Sequence, residues 1–133
     1  MASNFQFLAE EKQFEGLYHV AVVAESSYNF QPQDPDTTIM LTRKALEYAV
    51  KWIYKYDSAL NAESEKINIE RDPLSTLINR KTFRDIVGKD IYKSIDFLRI
   101  LGNRSAHSFN NKTTLKEAEV ALENLFIVCD FIY

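Results

Sequence analysis

Apolar residues recur at spacings of three and four along most of the chain, which is helix periodicity rather than strand alternation. Phe14, Leu17, Tyr18, Ala21, Val22 and Glu25 predict a first helix over about 10–28, preceded by an apolar arm of Phe5, Phe7 and Leu8. Two prolines, Pro32 and Pro35, break the pattern, because proline fixes φ and removes a donor. Asp36 is the expected N-cap of a second helix running to about Tyr56, with Ile39, Met40, Ala45, Leu46, Ala49, Val50, Ile53 and Tyr54 as its apolar positions. A polar connector follows over 57–73. Short helical pieces are expected after Asp72-Pro73, through Leu74, Leu77 and Ile78, and again from Thr82 through Phe83 and Ile86 to Gly88. Ile91, Ile95, Leu98 and Leu101 predict a further helix over about 90–101, with Gly102 as its stop. The run Thr114-Leu115-Lys116-Glu117 reads as a capping box opening a last helix that carries Ala118, Ala121, Leu122, Leu125, Phe126, Val128 and Cys129. The sum is an all-α fold: an antiparallel bundle of about four main helices, with short helical pieces between the second and third.

Composition narrows this picture. A chain of 133 residues fits one domain over 1–133, and 46% hydrophobic residues supply its core. Leu46, Ile53, Leu98, Leu122 and Leu125 are the positions expected inside. Three glycines and three prolines are too few for an all-β fold built on tight turns. The single cysteine, Cys129, excludes an internal disulfide and a multi-cysteine metal site. It sits in the apolar run Leu125-Phe126-Ile127-Val128-Cys129 and is expected as a buried small hydrophobe, since no adjacent residue supplies the base a nucleophile needs. No apolar run is long enough to span a membrane, and Met1-Ala2-Ser3-Asn4-Phe5 lacks the basic and apolar regions of a signal peptide. Together with the lone cysteine this points to the cytoplasm. The chain stops at Asp130-Phe131-Ile132-Tyr133, still in apolar helical sequence, and so reads as the N-terminal piece of a longer polypeptide.

Charge and candidate chemistry concentrate in the second half. Residues 80–104 hold seven basic and three acidic side chains. Arg80, Lys81, Arg84, Lys89 and Lys93 are candidates for phosphate or nucleic-acid contact; a solvated helix surface explains them equally. The segment Leu98-Arg99-Ile100-Leu101-Gly102-Asn103-Arg104-Ser105-Ala106-His107 is the most distinctive. In a catalytic reading, Arg99 or Arg104 stabilises developing charge on a phosphate and His107 acts as acid or base. In a structural reading, which we favour, His107 packs at a helix junction, Asn103 caps it, and an arginine pairs with Glu47. Arg43 and Glu47 lie one turn apart, a spacing typical of surface or inter-helix pairs. His19 is expected as a surface or half-buried packing residue rather than a ligand. There is no phosphate-cradling glycine loop, no zinc-type cluster and no Ser-His-Asp pattern, so no metal or cofactor is expected in this domain.

Several pieces then fall into one order. They are Ser3-Asn4-Phe5-Gln6-Phe7-Leu8, a helix ending in Ala24-Glu25, Asp34-Pro35, Leu41-Thr42-Arg43-Lys44-Ala45-Leu46-Glu47, and the segment ending Gly102-Asn103-Arg104-Ser105-Ala106-His107. Over nearly its whole length the chain resembles the N-terminal helical domain of type I restriction enzyme R (HsdR) subunits. That domain is distantly similar to the HEPN group of helical ribonuclease and nucleotide-binding domains. RNA-cutting members of the group carry an Arg and a His separated by a short spacer. Here Arg99 precedes His107 by too many positions and Arg104 by too few. The resemblance therefore implies a non-catalytic accessory or docking domain of a defence protein. It implies a parent chain that is an ATP- and magnesium-dependent DNA translocase and restriction endonuclease. Partners would be other subunits or downstream domains of the restriction complex, and DNA through the basic stretch, with no membrane. Two alternatives stand beside it: a HEPN-like ribonuclease or toxin using Arg99, Arg104 and His107, and a freestanding defence-associated adaptor.

Overall fold

A computed structural model describes residues 3–63, 66–107 and 113–133, the side chains of 106 and 107 excepted. Two 3-10 turns, Gln6–Glu10 and Lys12–Phe14, lead into α1 (Glu15–Tyr28) and α2 (Pro35–Tyr56). Two short helices follow, α3 (Ser58–Asn61) and α4 (Leu74–Ile78). Then come α5 (Lys81–His107) and α6 (Leu115–Ile132). Among the described residues there is no strand, and four of the six α-helices are long. The expected all-α bundle, with its short pieces between the second and third main helices, is the fold observed.

Side-chain contacts fix the directions. The end of α1 meets the start of α2 where the Ser27 and Thr38 hydroxyls share a hydrogen bond of 2.8 Å. The start of α5 meets the end of α2 where Phe83 stacks on Tyr54, centroids 5.6 Å apart. The other end of α5 meets the start of α2 through Ser105 and Asp36, and the start of α6 through Arg104 and Glu117. Thus α1 and α5 run one way, and α2 and α6 the other. α2 is central, packing on α1, α5 and α6. Its Ile39, Ala45, Leu46, Ala49, Val50, Ile53 and Tyr54 are buried.

Local chemistry moves several boundaries. α1 starts at Glu15 rather than near residue 10: no side chain caps either preceding turn, and tighter 3-10 winding there buries Leu8 and Phe14. The N-cap of α2 is Asp34, not Asp36. Pro35 occupies the first helical position, where a missing N–H costs nothing. The Asp34 carboxylate accepts from the Thr37 backbone N–H at 3.4 Å and from the Thr37 hydroxyl at 2.7 Å. The expected helices at 82–88 and 90–101 are laid end to end as α5, kinked at Gly88, whose φ of +84° suits glycine. Gly102 does not stop the helix, which runs on to His107. At Thr114 the capping box forms as expected.

Of the five expected core residues, Leu46, Ile53, Leu98 and Leu125 are buried. Leu122 is only half-buried, because α6 turns Ala118, Ala121, Leu125, Val128, Cys129 and Ile132 inward and leaves Leu122 on its flank. Tyr54 is wholly buried and donates its hydroxyl to the Leu77 carbonyl at 2.5 Å. Burial pushes its phenol up to about 12. Burial likewise pushes the Cys129 thiol up to about 12, so it is a neutral packing group, as its sequence context suggested. Among the described residues, no helix is long and apolar enough to cross a membrane.

Candidate functional site

The segment that carried the candidate chemistry forms the joint between α2, α5 and α6. Gly102 is buried against Arg43. A Cβ added at Gly102 would lie 2.5 Å from Arg43 Cδ and 2.8 Å from Arg43 Cβ. Glycine is needed here for close helix approach, not to end a helix. Asp36 clamps the same joint: its Oδ1 accepts from the Ser105 hydroxyl at 3.0 Å and from the buried Thr113 hydroxyl. A carboxylate at the start of α2 thereby holds the end of α5 and the lead-in to α6.

The candidate arginines are engaged. Arg99 donates from Nε and Nη2 to Asp96 Oδ1, at 3.0 and 2.9 Å. Arg104 pairs with Glu117, the carboxylate that also closes the capping box of α6. Five positions on an α-helix separate two side chains by about 140° around the axis, so Arg99 and Arg104 point to different sides. The side chain of His107 lies outside the described residues. Two expected contacts are not formed. Asn103 is half-buried without a side-chain hydrogen bond among the described residues, so it caps nothing there. Among the described residues no arginine pairs with Glu47. Arg43 lays its stem across Gly102, with Nε buried and without a hydrogen-bond partner, while Glu47 lines a cleft elsewhere on α2.

The basic candidates on α5 are dispersed. Arg80 pairs with Glu63 at 3.3 Å, both side chains largely covered. Lys81 pairs with Asp85 at 3.3 Å in a fully exposed setting. The Arg84 guanidinium lies 4.4 Å from the centre of the Tyr92 ring, across the Gly88 kink. Lys89 and Lys93 are exposed, one turn apart. Among the described residues no three His, Cys, Asp or Glu side chains gather as a metal site.

Two surface features escaped sequence reasoning. The first is a groove of about 910 Å³ between the N-terminal arm, the end of α1 and α6. Phe5, Tyr28, Leu122, Phe126 and Ile127 line it, and among the described residues its charged lining is Glu25, Glu119 and Glu123. Phe126 packs edge-on to Phe7, centroids 5.7 Å apart, yet stays 39% exposed, and Ile127 is 45% exposed. The signal was present in the sequence: over 118–132 the apolar residues exceed what one buried stripe needs. The second is a cleft of about 890 Å³ along α2, bearing Lys44, Tyr48, Lys51, Trp52, Lys55 and Tyr56, with Ile67 and Ile69 of the connector on its other wall. Its signal was the interleaving of lysines and rings at helical spacing. No family model, curated protein or solved structure matches the chain.

Proposed function

We propose that this chain is a non-catalytic docking domain of the kind that leads a type I restriction R subunit, and that the α1–α6 groove is its docking surface. The observation that carries the reading is the groove itself. Large apolar side chains stand half-exposed on the outer face of α6, and the charged residues lining the groove among the described residues are carboxylates, of which Glu119 also meets the exposed Lys116 at 3.6 Å. An apolar floor with an acidic rim fits an amphipathic helix whose apolar face is flanked by Lys and Arg. Such a helix would belong to another subunit, or to a downstream domain of the same polypeptide. The engagement of Arg99 and Arg104 with carboxylates supports docking over RNA cleavage, because a catalytic arginine must offer its donors to a phosphate.

Two measurements test this. A helical peptide with leucines on one face and lysines flanking them should bind, and its glutamate counterpart should not. Ile127→Glu should abolish that binding while the melting temperature holds. Equal binding of both peptides, or none, overturns the docking surface. Mass spectrometry of the native gene product tests the parentage: a product that continues past Tyr133 into translocase sequence is expected, and one ending near Tyr133 overturns it.

A further inference from the structure

The α2 cleft faces a different chemistry. From the helical rise, Lys44 and Lys51 stand about 10 Å apart along the axis, and Lys51 and Lys55 about 6 Å apart. Tyr48, Trp52 and Tyr56 follow one another at one-turn intervals between them. The three rings are held in advance. Tyr48 lies against Gly16 of α1, where an added Cβ would come within 2.9 Å of its ring. Trp52 is wedged between Phe14 and Tyr56, with centroids 4.9 and 5.0 Å away. Tyr48 and Tyr56 nonetheless keep 43% and 49% of their surface exposed.

The lysines are available. Among the described residues Lys51 reaches Glu70, at 3.8 Å, and Glu70 is itself 84% exposed, so that pair is weak and readily exchanged. Lys55 lies 5.4 Å from the Tyr56 ring, and Lys44 is exposed. Among the described residues lining the cleft, Glu47 and Glu70 are the carboxylates, against three lysines. Gln13, Asn61 and Asn68 add amide groups to its lining.

Rings ordered beforehand, cations spaced along one axis and amide edges suit a chain of stacked bases joined by phosphates. We propose that the α2 cleft binds single-stranded nucleic acid, with bases against Tyr48 and Tyr56 and phosphates against Lys44, Lys51 and Lys55. Stacking on aromatic side chains and electrostatic tracking of the backbone are the two contributions such binding uses. The cleft is separate from the α6 groove and from the basic candidates on α5, so the inference stands or falls independently of the docking reading.

Trp52 is the chain's single tryptophan, so its fluorescence reports on this cleft alone. Titration of the full chain with a short oligothymidylate at low salt should change that fluorescence. Contact with about three phosphates gives a log–log salt slope of about −2. The double variant Lys51→Glu, Lys55→Glu should weaken binding about ten-fold or more, and Tyr48→Ala about five-fold. All three substituted side chains lie at the surface, and an unchanged helical spectrum and melting temperature would show the fold intact. Lys89→Glu with Lys93→Glu should leave binding unchanged. Three results overturn the proposal: no fluorescence change, duplex binding as tight as single strand, or loss of binding only in the α5 double variant. A mononucleotide that binds as tightly as the oligomer also overturns it, reassigning the cleft to a free nucleotide.

Discussion

α2 and α6 run parallel through the same bundle and use their apolar residues differently. α2 buries one stripe and turns outward a mixture of charge and ring: Lys44 and Lys55 are exposed, Glu47 and Lys51 half-covered, and Tyr48 and Tyr56 stand among them 43% and 49% exposed. α6 buries a stripe as well, but its outer side carries Phe126, Ile127 and Phe131, each about 40% exposed or more. α2 packs on α1, α3, α4, α5 and α6, so only a narrow strip of it faces solvent, and that strip carries the lysines. α6 lies at the perimeter with apolar surface to spare, and surplus apolar surface beside a groove marks an interaction site. The same bundle therefore offers one face suited to a polyanion and another suited to an apolar helix.

The inner stripes should behave alike. Leu46→Ala and Leu125→Ala should each cost about 2–5 kcal/mol in urea unfolding, as for fully buried leucines. A cost near zero for Leu125→Ala alone would mean α6 is loosely attached, and the likeness of the two inner faces would break. The seating of α2 on α5 is sharpened by Gly102→Ala. Overpacking against Arg43 should cost about 1–3 kcal/mol, of which the helix propensity of alanine returns about 1. Arg43→Ala should relieve part of that loss, because the Cδ and Cγ contacts vanish while Cβ stays close. Additivity of the two substitutions would place the cost elsewhere.

Each helix also buries one weak acid. Tyr54 on α2 is raised from 10.0 to about 12, and Cys129 on α6 from 9.0 to about 12. In both, the unfolded chain ionises first. The contribution is fully present below about pH 9 and is lost as pH rises towards 12. Stability measured against pH should fall over that window. Cys129→Ala should flatten its lower part, although the smaller side chain lowers stability throughout. A flat profile in the parent chain would show that neither group is shielded from water. The smallest stability effect belongs to the outer face of α6. Ile127→Gln should shift unfolding by no more than about 0.5 kcal/mol, while binding of the basic helical peptide is lost. A large stability change there would turn the proposed docking face into part of the core.

Much of this fold was legible because helix periodicity is a local property. The apolar spacings of α1, α2 and α6 and the capping box at Thr114 each depend on a few neighbouring residues. What failed depended on partners distant in sequence. Gly102 looks like a stop until Arg43 is seen against it. Asp36 looks like a cap until Ser105 and Thr113 reach it from 69 and 77 positions away. The candidate arginines were visible, but the carboxylate on Glu117 that occupies Arg104 belongs to another helix. Both clefts were written into single helices, as rings among lysines on α2 and as excess apolar residues on α6. Their depth comes from the opposing wall, which periodicity does not reveal.

The arm and the last helix meet. Phe7 and Tyr133 pack edge to face with centroids 5.3 Å apart, Phe14 lies within 6.3 Å of the same ring, and the Tyr133 hydroxyl donates to Glu10. The arm is thereby clasped to the last turn of α6. Phe7→Ala should therefore let the amides of the last turn of α6 exchange faster while the rest of the bundle keeps its protection.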